Sequence, residues 1–98
     1  MRAAGTAVAA AWLFAFAQAG AASLVPPSGA ASCSGCHPTS PKVETRVPRL
    51  AGRKPDDIVA AMQAFRSRQK PATVMDRIAK GFSDEEIRAI ADWLGAQP

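Results

Sequence analysis

The sequence has two cysteines and one histidine in 98 residues, so it is poor in the side chains that build most metal sites. A four-ligand zinc site needs a further cysteine or histidine, and the chain has none. The chain also lacks a glycine-rich dinucleotide fingerprint, a strand–helix–strand pattern and an internal repeat. Its 12 lysines and arginines form no dense stripe, which argues against a nucleic-acid-binding protein. At this length the chain forms one domain at most.

The two cysteines and the histidine that are present lie together, as Cys33, Cys36 and His37. On a helical turn, cysteines three positions apart place both thiols on one side of the backbone, and the histidine follows on that side. Cys-x-x-Cys-His is the attachment signal of c-type haem, in which the thiols bond to the vinyl groups and the histidine binds the iron. The alternative, a redox disulfide, is typical of a strand–helix–strand fold. The motif therefore predicts one covalent haem c held by Cys33 and Cys36, with His37 as an axial ligand.

Methionine is the remaining residue type suited to the second axial position, because the chain has no other histidine and no spare cysteine. Met62 lies on the apolar face of an expected helix, where core packing is the more common role of a methionine. Met75 lies in a loop just before a short helix, where the backbone can bring its thioether onto the iron. We therefore predict Met75 as the second axial ligand and keep Met62 as the alternative.

The segment after His37 is rich in proline and predicts a loop that passes along one face of the haem. A carbonyl of this loop can accept the Nδ1 proton of His37, which fixes the imidazole tautomer and raises its basicity. Pro48 is our candidate for that carbonyl. On residue chemistry alone, Pro48 has an equal alternative role in shaping the loop.

Residues 1–21 have the layout of a secretory signal peptide, with Arg2 near the start and an apolar run over residues 7–17. Small residues follow the run and predict cleavage near Ala19 to Ala22. The alternative is a retained membrane anchor, but the run is short for a bilayer span of about 20 residues. We therefore expect export to the periplasm, with residues 22–98 as a monohaem domain and no stable membrane insertion after cleavage.

Helix signals recur through the second half of the chain. Pro55 suits the first position of a helix, the aspartates after it favour the positive helix end, and Pro71 is expected to stop this helix. A last helix is predicted to begin at a capping box formed by Ser83 and Glu86 and to end at Gly95. With a turn that carries the cysteines and a short helix between the two longer ones, the sequence predicts an all-α fold. We expect three to four short helices wrapped around one haem, and no strand.

Together these residues resemble those of class I c-type cytochromes. The resemblance runs over residues 33–97 and rests on the segments 33–37, 47–52 and 81–94 and on Met75. It implies a small cytochrome c-like fold in which Trp93 of the last helix packs near the N-terminal helix. It also implies that the Pro48 carbonyl is the partner of His37 and that Met75 is the distal ligand.

A narrower similarity, carried by Phe65-Arg66-Ser67 and by residues 70–81, is to the cytochrome subunit of flavocytochrome c sulfide dehydrogenases. In that family a flavoprotein subunit oxidises sulfide and passes electrons to the cytochrome subunit. The resemblance implies periplasmic electron transfer by a His/Met-ligated haem c, with a flavoprotein that contains FAD as the partner. The chain is expected to be an electron carrier and not itself an enzyme, because a six-coordinate haem leaves no site for a substrate.

Three other functions remain open from the sequence. The first is a free soluble cytochrome that carries electrons between other redox proteins. The second is a haem-based gas or redox sensor, which requires that Met75 does not bind the iron or binds it weakly in one oxidation state. The third is a thiol–disulfide oxidoreductase that uses Cys33 and Cys36, although this function leaves His37 without a role.

Overall fold

The computed structural model describes Met1 and residues 25–98, so the predicted signal peptide at residues 1–21 lies, apart from Met1, outside the described residues. The described part contains four helices and no strand. The helices are α1 (Ala30–Cys33), α2 (Pro55–Arg66), α3 (Met75–Ala79) and α4 (Asp84–Gly95). The predicted all-α class with a few short helices is therefore confirmed. None of the helices in this part of the chain combines the length and the hydropathy that crossing a bilayer requires.

Helix α2 begins where the sequence predicts and ends earlier than expected. Pro55 is its first residue, and two aspartates fill the first turn, where their charge favours the positive helix end. The helix ends at Arg66, before Pro71 is reached. The reason is that Arg68 takes the left-handed conformation, with φ of 63°, and its amide donates to the Phe65 carbonyl at 3.1 Å. This backbone turn closes the helix in the way a C-terminal glycine usually does.

Helix α4 has the N-terminus that the sequence predicts. The Ser83 hydroxyl accepts a hydrogen bond from the Glu86 amide at 3.1 Å, and the Glu86 carboxylate accepts one from the Ser83 amide at 2.9 Å. This pair forms the expected capping box, which satisfies two backbone donors that the helix itself leaves unbonded. The first turn is acidic, which also suits the positive end of the helix.

One face of α4 lies at the centre of the core. Within α4, the buried residues are Ile87, Ile90, Ala91 and Leu94. Ala30 of α1 and Ile58 of α2 join the last three in one apolar cluster. Both α1 and α2 pack on α4, while α3 packs on α2. The short α1, which carries the first cysteine of the motif, is thereby held against the last helix.

The chain passes very close to Phe82 at Gly29, the residue that precedes α1. Gly29 has a φ of 85°, a conformation that glycine adopts without steric cost. A Cβ atom built there would lie 2.6 Å from the Cε1 atom of Phe82, which is closer than such atoms can approach. The start of α1 therefore depends on a glycine at this position for two reasons. Its φ angle is positive, and the Phe82 ring leaves no room for a side chain.

Arg66, the last residue of α2, joins three segments of the chain. Its Nη1 donates to the Asp84 carboxylate at 2.6 Å, and its Nη2 donates to the Phe82 carbonyl at 2.6 Å. Its Nε donates to the Ala79 carbonyl at 3.4 Å. The guanidinium and its bonds to the two carbonyls are partly buried, so these two bonds are partly shielded from competing water, whereas Asp84 is exposed. Arg66 thus fixes the ends of α2 and α3 and the start of α4 relative to one another.

We expect Arg66→Gln to lower the free energy of unfolding by about 2 kcal/mol, because it removes hydrogen bonds from a charged, partly buried donor. Arg88→Gln is the matched control: Arg88 Nη1 also bonds an aspartate of another helix, Asp56, at 2.9 Å, but both side chains are largely exposed. Exposed pairs contribute little, so this variant should unfold close to the wild type. Denaturant unfolding of both variants measures the difference, and equal losses would contradict the role given to Arg66.

Candidate functional site

The cysteine–histidine motif forms a tight turn that continues α1. Cys33 is the last residue of the helix, and its carbonyl accepts the amide of Cys36 at 3.3 Å and the amide of His37 at 2.9 Å. Cys33 is half-buried, Cys36 is exposed, and both are free thiols. The turn therefore keeps the two thiols and the imidazole within one short, hydrogen-bonded stretch of backbone.

The His37 ring contacts the Pro48 carbonyl, with 2.6 Å between Nδ1 and the oxygen. A carbonyl oxygen only accepts hydrogen bonds, so the ring nitrogen must be the donor and Nδ1 carries the proton. In the neutral imidazole this leaves the lone pair on Nε2. His37 is thus held in the tautomer that can bind a metal through Nε2, and the partner is the carbonyl that the sequence analysis named.

An apolar cavity of about 220 Å³ lies beside the motif. Cys33 and His37 line it together with Leu50, Trp93 and Leu94. The Nε1 atom of Trp93 is buried and has no hydrogen-bond partner in the described part of the chain. Trp93 also packs against the cluster that contains Ala30 of α1, which agrees with the neighbourhood expected for this aromatic residue.

The residues of the motif fit a haem c. Two free thiols separated by two residues can form two thioether bonds, and an imidazole fixed through Nδ1 presents Nε2 to an iron. A bare metal ion fits less well. Within residues 25–98 there is no group of three histidine, cysteine, aspartate or glutamate side chains that could bind one. Partial burial raises the pKa of the Cys33 thiol, the reverse of the lowered pKa that a reactive redox cysteine needs.

Met75, the predicted second axial ligand, is half-buried, and it is the first residue of α3 and not, as expected, a residue of the preceding loop. Its neighbours Val74 and Ile78 are exposed by 47% and 39%, so this end of α3 presents an apolar surface. The alternative ligand, Met62, is half-buried within α2. Helix α3, which begins with Met75, packs on α2, whereas α1, which ends with Cys33, packs on α4, and these two helices make no contact in the described part of the chain.

Arg49 is a residue of this region that the sequence analysis did not assign to the site. Its Nε donates to the Thr39 carbonyl at 2.7 Å, and its Nη2 donates to the Pro98 carbonyl. These partners lie 10 and 49 positions away along the chain, so no local spacing in the sequence indicates them. Arg49 directly follows Pro48, which places these bonds next to the contact with His37.

Comparison with known proteins supports the resemblance to cytochromes. No protein-family model matches the sequence. The cytochrome subunit of sulfide dehydrogenase from Chlorobaculum tepidum is 39% identical over 64 residues, which are 65% of this chain and 58% of that protein. The predicted similarity to such a subunit is therefore confirmed. The match spans less than two thirds of the relative's length.

Proposed function

We propose that this chain is an electron-transfer protein that carries one covalently attached haem c. The observation that carries the proposal is the His37 ring, which donates from Nδ1 to Pro48 at 2.6 Å and follows two free thiols in the attachment motif. A bound haem c supplies the one-electron cycle between ferric and ferrous iron. Cys33 and Cys36 would anchor it, and Nε2 of His37 would bind the iron.

Each residue of the site has a separate task in this function. The Pro48 carbonyl fixes the tautomer of His37 and makes the imidazole a stronger electron donor. Met75 is proposed as the second axial ligand, and a thioether in this position favours the ferrous state and raises the reduction potential relative to a second histidine. The apolar surface formed by Val74, Met75 and Ile78 suits contact with an apolar group.

We further propose that the chain works in the periplasm as the cytochrome subunit of a sulfide-oxidising flavoprotein. Support comes from the relative, which is named as a subunit of sulfide dehydrogenase. It also comes from the sequence, which has no dinucleotide fingerprint, so a flavin would belong to the partner. A free electron carrier is the second candidate, since the same haem site would suit a protein that carries electrons without a bound flavoprotein.

Haem attachment is tested by producing the full chain in a host with cytochrome c maturation. We expect the mass of the processed protein to exceed that of its polypeptide by one haem, with no thiol open to alkylation. Cys33→Ala and Cys36→Ala each leave one vinyl group unbonded, so the pyridine haemochrome band of each variant should shift to longer wavelength. Recovery of the wild type without haem and with two alkylatable thiols would contradict the proposal.

The second axial ligand is tested by comparing Met75→Ala with Met62→Ala. We expect Met75→Ala to abolish the methionine–iron charge-transfer band of the oxidised protein and to let carbon monoxide bind the reduced protein. Met62→Ala is the control, because this residue is also a half-buried methionine and should leave both properties unchanged. The opposite pattern would assign the ligand to Met62, and rapid carbon monoxide binding by the wild type would favour the gas sensor.

The partner is tested by purifying the chain gently from its native source and recording the absorption spectrum of the pure material. We expect low-spin haem c bands together with a flavin band that co-elutes at constant ratio. The same haem bands without flavin would support the free carrier and contradict the subunit. Periplasmic fractionation with N-terminal sequencing then checks cleavage near Ala19 to Ala22.

A further inference from the structure

The loop between His37 and Pro48 is closed by two bonds. The first is the contact between the His37 ring and the Pro48 carbonyl at 2.6 Å. The second is the bond from Arg49 Nε to the Thr39 carbonyl at 2.7 Å. The two bonds lie side by side, since Thr39 is two residues after His37 and Arg49 directly follows Pro48.

Little else holds this loop in place. Its other hydrogen bonds in the described structure run between neighbouring residues of the loop, from Lys42 and Val43 to Ser40 and from Val47 to Thr45. Residues 41–46 are all exposed, so packing does not fix them either. Without the Arg49 side chain, only the bond between His37 and Pro48 would join the Thr39 end of the loop to the Pro48 end.

The backbone that carries Arg49 is, in contrast, well fixed. The Arg49 carbonyl accepts a hydrogen bond from Arg53 Nε at 2.9 Å, and the Gly52 amide donates to the Leu94 carbonyl of α4 at 3.0 Å. Arg49 is also half-buried. Its guanidinium therefore reaches back to Thr39 from a segment that is tied to the last helix.

We propose that Arg49 is a positioning residue that sets the hydrogen bond between His37 and Pro48. By holding the Thr39 and Pro48 segments together, its side chain fixes the orientation of the imidazole and the basicity of Nε2. The inference rests on the proposed function, because it gives His37 the role of axial ligand. Arg49 lies in the segment 47–52 that carries the resemblance, but neither the attachment motif nor the resemblance gives it a role.

Two effects of Arg49 on the reduction potential have opposite signs, and this makes the proposal testable. Loss of a positive charge near the iron lowers the potential, because the charge disfavours the ferric state. Loosening of the bond to Pro48 weakens electron donation by the imidazole and raises the potential. A residue that acts by charge alone shows the first effect only.

The experiment compares Arg49→Met, Arg49→Lys and Arg46→Met in the haem-loaded full-length protein. Arg46 lies in the same loop and is exposed, so Arg46→Met is the control for loss of a positive charge. We expect the Nδ1 proton of His37 in reduced Arg49→Met to exchange with water about tenfold faster than in the wild type. The potential of Arg49→Met should lie above that of Arg46→Met.

Further readouts separate positioning from general loss of structure. The amide protons of α4 should keep their protection in Arg49→Met, and Arg49→Lys should recover part of the Nδ1 protection because it retains a charged donor. Equal Nδ1 exchange in the wild type, Arg49→Met and Arg46→Met would overturn the inference while leaving haem attachment intact. A wild type without haem would instead overturn the proposed function and this inference with it.

Discussion

The buried face of α4 is the contact on which the rest of the structure depends. Ile90, Ala91 and Leu94 pack against Ala30 of α1 and Ile58 of α2, and the described chain has no second cluster of comparable size. So small a core gives limited stabilisation, and each close approach within it matters. The glycine before α1 shows this, because any side chain at that position would meet the Phe82 ring.

The same face determines where the site residues lie. Cys33 ends the helix that packs on α4, and Gly52, near the other end of the site, donates its amide to Leu94 at 3.0 Å. The two sides of the contact between His37 and Pro48 are therefore both held relative to α4. In the proposed function His37 must keep one orientation through a redox cycle, and with this double attachment fewer groups have to move when the charge changes.

Local signals in the sequence predicted the starts of α2 and α4, but one local backbone turn and the contacts between distant residues were not predicted. The capping box of Ser83 and the proline start of α2 depend on residues within one helical turn, so their spacing is visible in the chain. The sequence did not predict that α2 ends at Arg66, because nothing in the composition indicates the left-handed backbone conformation of Arg68. The bonds of Arg49 to Thr39 and Pro98 were missed because only the folded chain brings these groups together.

The two proposed axial ligands lie on parts of the chain that are connected through a series of helix contacts, from α1 to α4, from α4 to α2 and from α2 to α3. His37 follows α1, which packs on α4, and Met75 begins α3, which packs on α2. Since α1 and α3 have no direct contact among the described residues, they are connected through the packing of α2 on α4. Arg66 strengthens this link, because it bonds to α4 through Asp84 and to the end of α3 through Ala79. A partly buried arginine far from the motif in sequence thus links the helix of Met75 to the helix on which α1 packs.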